Sequence, residues 1–309
     1  MKTIATFALS TWIFAASSAS SQQVPDEDFH FANDIPAFET DHGPTVCIDE
    51  AHKNFHTAEG RYLGFANLLR ADGFKIRRFN QQFSAESLKV CDIAVVANAS
   101  ALAPEAKWPY PHGSAFTGEE IEAVMHWVRA GGNLLIFADH PPFAGGAADL
   151  GAVLGLVMTD VYESNVPNTG SDSFTLEEGT LHDHAIVRGR NDNESVSRVV
   201  TFAGQPAQIT QYWQPLMTFG DEATAYISPW QTYQQNDKDI EWPQFSIAGW
   251  VHASTREWDQ GRIVFVGEAA VCSAQLAGKD KLKMGMNNPD AKQNPQFCLN
   301  TVRWLARIL

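Results

Sequence analysis

The chain lacks the usual signatures of nucleotide and metallopeptidase chemistry. It has no G-x-x-x-x-G-K-[ST] loop, so Asp49-Glu-Ala-His52 cannot be read as a helicase box. G-x-G-x-x-G is missing, which removes support for a Rossmann dinucleotide site. H-E-x-x-H and G-x-S-x-G are missing too, which excludes a zincin helix and the nucleophile elbow of α/β-hydrolases. Positive charge is scarce: 22 Lys and Arg stand against 36 Asp and Glu, a net of −14. Phosphate backbones and anionic membrane surfaces repel such a chain, so nucleic acid is not an expected partner. Cysteine is scarce as well, with 4 residues in 309 and no C-x-x-C pair to mark a zinc site. No apolar run after the first residues is long enough to span a bilayer.

What is present fits a folded, exported domain. Hydrophobic residues make up 44% and charged residues 19%, enough apolar surface for a sizeable core. Lys2, the apolar stretch Ile4 to Ala16 and the small residues Ser17-Ser18-Ala19 read as a signal peptide over 1–19. The expected location is periplasmic or secreted. Residues 20–43 are polar, carry Pro25 and Pro36, and read as an extended lead-in. Residues 44–309 read as one α/β domain, with a β-rich elaboration over 158–255. In an oxidising compartment the cysteines can pair. Cys272–Cys298 is the more plausible bridge, whereas Cys47 and Cys91 sit in strand-like apolar runs and read as buried small hydrophobes.

Periodicity gives the architecture. Pro44 to Ala51 is a short β-branched strand and Phe74 to Phe79 a second strand, while Asp92 to Ala97, Asn133 to Ala138 and Gly261 to Gly267 are apolar runs, as expected of strands buried on both faces. Helical spacing of Tyr62, Phe65, Ala66 and Leu69 predicts a helix from Thr57 to Gly73. Thr117-Gly-Glu-Glu120 is a capping box, opening a helix that carries Ile121, Val124, Met125 and Val128. Ala147 to Leu154 and Asn294 to Leu309 complete the helices. Strands alternating with helices predict a three-layer, doubly wound, mostly parallel sheet. Residues 158–255 are richer in Trp and Gln, and short alternating pieces there predict antiparallel strands.

Open α/β sheets bind ligands beyond the carboxyl ends of their strands. The predicted strand ends deliver Asp49, Glu50, His52 and His56, then Asn98 and Ser100, then Asp139 and His140, then Glu268, Ser273 and Gln275. Carboxylates and imidazoles recurring at several strand ends are the expected site. Were a metal bound there, His52, His56 and His140 (or Asp139) would be its ligands, but no metal motif is complete. His182 and His184 read as loop surface. Trp213, Trp230, Trp242 and Trp250 either stack on a ligand or pack the elaboration against the sheet.

Asp49-Glu-Ala-His52, Asn54-Phe-His-Thr57, Gly131-Gly-Asn-Leu-Leu135, Ala138-Asp-His-Pro141 and Gly267-Glu-Ala-Ala270 resemble a bacterial family of uncharacterised proteins. So do Ser273-Ala-Gln275, Met284-Gly-Met-Asn287 and Asn294 to Leu305. The fold implied is similar to that of class I glutamine amidotransferases, which are flavodoxin-like. Those enzymes carry a nucleophilic Cys on a strand–turn–helix elbow. Here the matching turn is Ala138-Asp139-His140-Pro141, with no Cys, so glutaminase chemistry is not expected. Asn98, Gln275 and Asn287 are the expected ligand-binding amides, and no cofactor is indicated.

Two functions follow as expectations. One is a domain that binds a small molecule, a glycan or a partner at the strand ends. The other is a periplasmic hydrolase in which Asp49, Glu50, His52, His56, Asp139, His140 and Glu268 supply acid–base chemistry, with or without a metal.

Overall fold

The computed structural model describes residues 23–103, 110–164, 171–227 and 243–309. The expected signal peptide, Trp230 and Trp242 lie outside them. Strands β1 (Gln23–Pro25), β2 (Thr45–Asp49), β3 (Lys75–Phe79), β4 (Ile93–Ala97) and β5 (Asn133–Phe137) belong to the first half. The helices between them are α1 (Leu63–Ala71), α2 (Gly118–Arg129) and α3 (Phe143–Leu154). The elaboration supplies β6 (Leu156–Met158), β7 (Tyr162–Ser164), β8 (Asp172–Thr175), the short α4 (Ala185–Arg188), β9 (Arg198–Thr201), β10 (Ala207–Ile209), β11 (Gln214–Thr218), β12 (Thr224–Tyr226) and β13 (Gln244–Ser246). Then come β14 (Val251–Trp258), β15 (Gly261–Val266), β16 (Ala274–Ala277), β17 (Leu282–Gly285) and α5 (Asn294–Leu305).

Among the described residues nine strands form the main sheet, in the order β3-β2-β4-β5-β15-β14-β10-β6, with β11 also on β14. The pairings from β3 through β15 are parallel. Taken in chain order, these five strands run 2-1-3-4-5, the flavodoxin-like arrangement. Beyond β15 every pairing is antiparallel, so the elaboration extends the sheet rather than standing apart from it. Two smaller sheets, β13-β12-β7 and β8-β9, lie outside it, and β1 pairs with β16 beside β17.

The helices cover both faces. Phe65 and Leu69 of α1 and Phe297, Val302 and Leu305 of α5 pack on one face, against Val46, Ile48, Val95 and Phe137. Ile121, Val124 and Val128 of α2 and Leu150 and Leu154 of α3 pack on the other, against Cys47, Val96, Leu134 and Ile136. Successive strand residues alternate between the two cores, as the period of two requires. The expected capping box is present: Thr117 Oγ1 accepts from Glu120 N, and Glu120 accepts from Thr117 N at 2.9 Å.

Three boundaries differ from expectation. Helix α1 starts at Leu63, because residues 57–62 are drawn into turns on the Thr57 carbonyl and Tyr62 donates its hydroxyl to Ala269 O at 3.0 Å. Helix α3 starts four residues early, at Phe143. Its first turn needs glycine, since a Cβ on Gly146 would sit 2.3 Å from the Ala99 carbonyl. The piece expected at Phe245 to Val251 is divided between β13 and β14.

Two disulfides staple the domain. Cys272–Cys298 joins the segment after β15 to α5, as expected. Cys47–Cys91 is the correction: these cysteines are bonded rather than free buried hydrophobes. Both face the α2/α3 core, Cys47 from β2 and Cys91 from the approach to β4, so the neighbouring parallel segments bring them together. All four cysteines of the chain are therefore bonded, and no free thiol remains.

Candidate functional site

Five parallel strands end at one edge, and each end adds a polar residue. In the 2-1-3-4-5 order the switch point lies between β2 and β4. There the chain closes its own crevice. Phe55 N donates to Asn98 O, and Ser100 N donates to His52 O, both at 3.0 Å. The loop 51–56 is thus tied to the loop after β4, and polar groups gather on either side of it.

Asp49, His52 and Glu120 form the first group. Asp49 follows Ile48 and so faces the α2/α3 side. Its Oδ2 meets His52 Nδ1 at 2.8 Å, and His52 Nε2 meets Glu120 Oε1 at 2.9 Å. The imidazole lies between the rings of Phe83 and Phe116, with centroids at 4.8 and 4.5 Å. Burial works against a charged His52, but the two carboxylates outweigh it and hold its pKa above the usual value. Burial dominates for Asp49 and raises its pKa despite the imidazole. For Glu120, hydrogen bonds from Thr117 and His52 overcome burial and lower it.

A second group, on the α1/α5 side, is built around Asp139. Asn98, with φ of 55°, holds it by both ends of its amide. Asn98 Nδ2 donates to Asp139 Oδ2 at 2.7 Å, and Asp139 N donates to Asn98 Oδ1 at 2.9 Å. Asp139 Oδ1 also accepts from Ala269 N. Glu268 Oε1 accepts from Phe202 N and Ala203 N, each at 2.9 Å. Burial raises the pKa of Asp139, and raises that of Glu268 well above normal, with Asp139 and Glu163 adding to the latter. The buried Tyr62 hydroxyl is raised for the same reasons. Behind Glu268, His252 Nδ1 lies 3.0 Å from Glu163 Oε2, and its ring is packed by Phe174 and Phe219.

The expected residues thus divide. Glu50 leaves the site, because it binds Arg78 Nε at 2.9 Å and Ala58 N at 3.0 Å. Asp49 and His52 belong to the first group. His56 joins the second: its nitrogens lie 3.4 Å from Asn98 Nδ2 and Gln275 Nε2, and burial, reinforced by Arg61, keeps it neutral with a pKa well below normal. His140 is half-buried beside Asp139 and stacks on Tyr162 at 4.6 Å. Gln275 donates to Ser273 Oγ at 2.7 Å. Asn287 ties Asp26 to the Gln275 carbonyl and reads as a brace for β1, β16 and β17. Ser100 serves the crevice closure through its backbone.

His52, His56 and His140 do not converge. His52 is filled by carboxylates, His56 faces amides across the sheet, and His140 Nδ1 lies 2.8 Å from Pro141 O. Among the described residues no group of three His, Cys, Asp or Glu is arranged to hold a metal ion. Of the expected surface residues, His184 is instead packed on Trp304 and accepts from Ile186 N. Burial, then Arg188 and Arg262, lower its pKa to about 4. Trp213 is buried with Nε1 on Leu154 O at 2.7 Å, and Trp250 packs on Phe245, so both hold the elaboration in place.

Sequence reasoning passed over Glu163, His252, Gln205 and Tyr62, and read Glu120 only as a cap. Nothing in the sequence pointed to His252, which stands in a strand of mixed polarity, Val251-His-Ala-Ser-Thr-Arg-Glu-Trp258. Several buried atoms of the second group have no protein partner among the described residues. They are Glu163 Oε1, Glu268 Oε2, His252 Nε2, Gln205 Oε1 and Gln275 Oε1.

No protein-family model matches the chain, and no curated protein matches it. Solved structures do. The mmIFT52 N-terminal domain is similar with a TM-score of 0.59 at 13% identity, over 84% of this chain and 97% of that one. A ThuA-like protein of Bacteroides uniformis has a TM-score of 0.45 at 13% identity, over 89% of this chain and 94% of that one. A cytoplasmic protein of Salmonella typhimurium, STM3548, has 0.47 at 15% identity, over 85% and 98%. At these identities the likeness concerns the fold alone.

Proposed function

We propose that the chain is an extracytoplasmic binding domain on an amidotransferase-like fold, without glutaminase activity. It holds a small polar molecule at the carboxyl ends of β4, β5 and β15. The observation that carries this reading is the set of buried polar atoms around Asp139 and Glu268 that lack protein partners among the described residues. Buried polar atoms are nearly always satisfied, and a cluster of exceptions marks a place for something else. Three of the five, on Glu163, Gln205 and Gln275, are accepting oxygens, so the complementary ligand is rich in donors: an amine or a hydroxyl-bearing sugar. His140 and Tyr162 stand at the half-buried side of the group and are the route of approach.

Two further facts support the reading. The bonded cysteines leave no thiol for glutamine attack. Disulfides persist in oxidising compartments, which agrees with the signal peptide expected from the first residues. The test is a thermal-shift screen of amines, amino acids and sugars, run with a glutamine hydrolysis assay. A compound that stabilises the wild type, with no ammonia released from glutamine, supports the proposal. Glutamine turnover, or a screen in which nothing stabilises, counts against it.

A hydrolase remains as a second reading, favoured by one observation. Burial raises both carboxyls, and the Asp139 charge adds to the rise at Glu268, which separates the pair as a general acid and base require. Hydrolysis of an ester, amide or glycoside substrate that Asp139→Asn abolishes would support it. A blank panel would leave binding as the better account.

A further inference from the structure

The segment 202–205 gathers four side chains that are far apart in sequence. Glu163 N donates to Gly204 O at 3.1 Å, and Gln205 N donates to Gly267 O at 3.0 Å, so β7 and the end of β15 both lie along it. Glu268 Oε1 takes the amides of Phe202 and Ala203. Gly204 stands between Glu163 and His252: a Cβ there would lie 3.2 Å from Glu163 Oε1 and 2.9 Å from His252 Cε1. The side chains of Glu163 and His252 are 1% and 0% exposed, and Gln205 and Glu268 are as deeply buried.

What these side chains leave open is of one kind. Glu163 Oε1 and Gln205 Oε1 are acceptors without a protein partner among the described residues. Glu268 Oε2 is a third once its carboxyl is ionised. His252 Nδ1 faces Glu163 Oε2 at 3.0 Å, so the neutral ring donates there and presents Nε2, also unpartnered, as an acceptor. The titratable groups around Glu268 are Asp139 after β5, with His140 beside it, Glu163 of β7, His252 of β14 and Tyr62 before α1. Among the described residues no Lys or Arg pairs with any of the three carboxyls.

We propose that the ligand enters this group through a primary ammonium rather than a hydroxyl, and that Glu268 gives up a proton to receive it. This holds on the reading that a ligand occupies the group around Asp139 and Glu268. An ammonium carries three donors for a set of acceptors, whereas a hydroxyl carries one and leaves the others unanswered. A buried cation needs a carboxylate against it, and three carboxyls stand around this place. Burial raises the Glu268 pKa well above normal, with Asp139 and Glu163 adding to it, and a positive charge alongside works in the opposite direction. A terminal amine on a slender chain also suits side chains buried this deeply better than a sugar ring does. The released proton passes to solvent, so binding tightens as pH rises.

The test is titration calorimetry with the full chain and two matched pairs of linear probes, putrescine against 1,4-butanediol and glucamine against sorbitol. Each is run at several pH values in two buffers of different ionisation heat. Near neutral pH each amine is expected to bind at least about tenfold tighter than its hydroxyl twin. Its affinity is expected to rise with pH, by up to about tenfold per unit where one proton is released, and the two buffers report that proton. Glu268→Gln has no proton to give and is expected to lose the preference, the pH dependence and the proton release together, whereas His52→Gln keeps all three. A hydroxyl probe that binds as tightly as its amine twin overturns the inference and leaves a donor-rich ligand standing. Amine binding without proton release, or undiminished in Glu268→Gln, overturns it too. If no probe binds, the inference falls; if the wider screen of amines, amino acids and sugars is also blank, so does the reading beneath it.

Discussion

His52 Nε2 and Glu120 Oε1 lie 2.9 Å apart, across 68 residues of sequence. The contact joins the loop after β2 to the first turn of α2, because Glu120 is also the carboxylate of the capping box. Asp49 completes it from the other side of the ring. This clasp has a pH signature. A histidine whose folded pKa is raised contributes stability that is fully present below its unfolded value of about 6.5 and is lost as pH rises through the folded value. Glu120, lowered in the fold, contributes above its unfolded value and loses that contribution on acidification. His52→Gln is expected to destabilise by about 2–4 kcal/mol near pH 6 and by less at higher pH. Urea unfolding at several pH values reads both.

Asp72 and Arg303 form another buried pair. The guanidinium reaches both carboxylate oxygens, at 2.6 and 2.7 Å, and both side chains are fully buried. Asp72 also holds the lead-in, accepting from Asn33 Nδ2 and Ala37 N. Asp72→Ala leaves the buried Arg303 with Glu194 Oε1, 3.0 Å from its Nη1, as its remaining carboxylate, and is expected to cost about 3 kcal/mol, measured by denaturant unfolding. Part of that loss is expected to show as faster proteolysis near residue 37.

The disulfides give a chemical prediction. A thiol assay on the denatured, unreduced chain is expected to find no free thiol. Reducing either bond is expected to lower stability by about 2–4 kcal/mol. Alkylating reagents applied to the native protein are expected to leave ligand binding unchanged.

Glu268 gives a prediction of opposite sign to Glu120. Its pKa is raised, so the folded state resists its ionisation. Stability is expected to fall as pH rises from the unfolded value toward the folded one. Glu268→Gln keeps the shape without the charge, so its stability is expected to exceed that of the wild type at pH 8 and to lose this pH dependence. A wild type with the flatter profile would contradict the assignment.

The fold was readable because β4, β5 and β15 are short apolar runs and α2 announces its own start. Thr117 and Glu120 name the first residues of that helix, and the structure adds only its packing. The candidate site was half readable. The strand ends that carry Asn98, Asp139 and Glu268 bring them into one group, since each follows a run buried on both faces. The same logic placed Asp49 and Glu50 with them, and there it failed. Period-two alternation turns Asp49 to the α2/α3 side, while the exposed Arg78 draws Glu50 outward. Glu163 and His252 were out of reach. Their strands are joined through an elaboration whose pattern does not reveal its register, and only the closed sheet brings them to Glu268.

The central claim is that the buried polar group around Asp139 and Glu268 receives a donor-rich ligand. Its most direct test is the thermal shift of a stabilising amine or sugar in three proteins: wild type, Glu163→Gln and His52→Gln. At 100 times Kd such a ligand stabilises by about 2.7 kcal/mol, a shift of several degrees. The account predicts that the shift disappears in Glu163→Gln, where an amide donor replaces the unpartnered oxygen, and persists in His52→Gln. A shift that survives Glu163→Gln undiminished would contradict it.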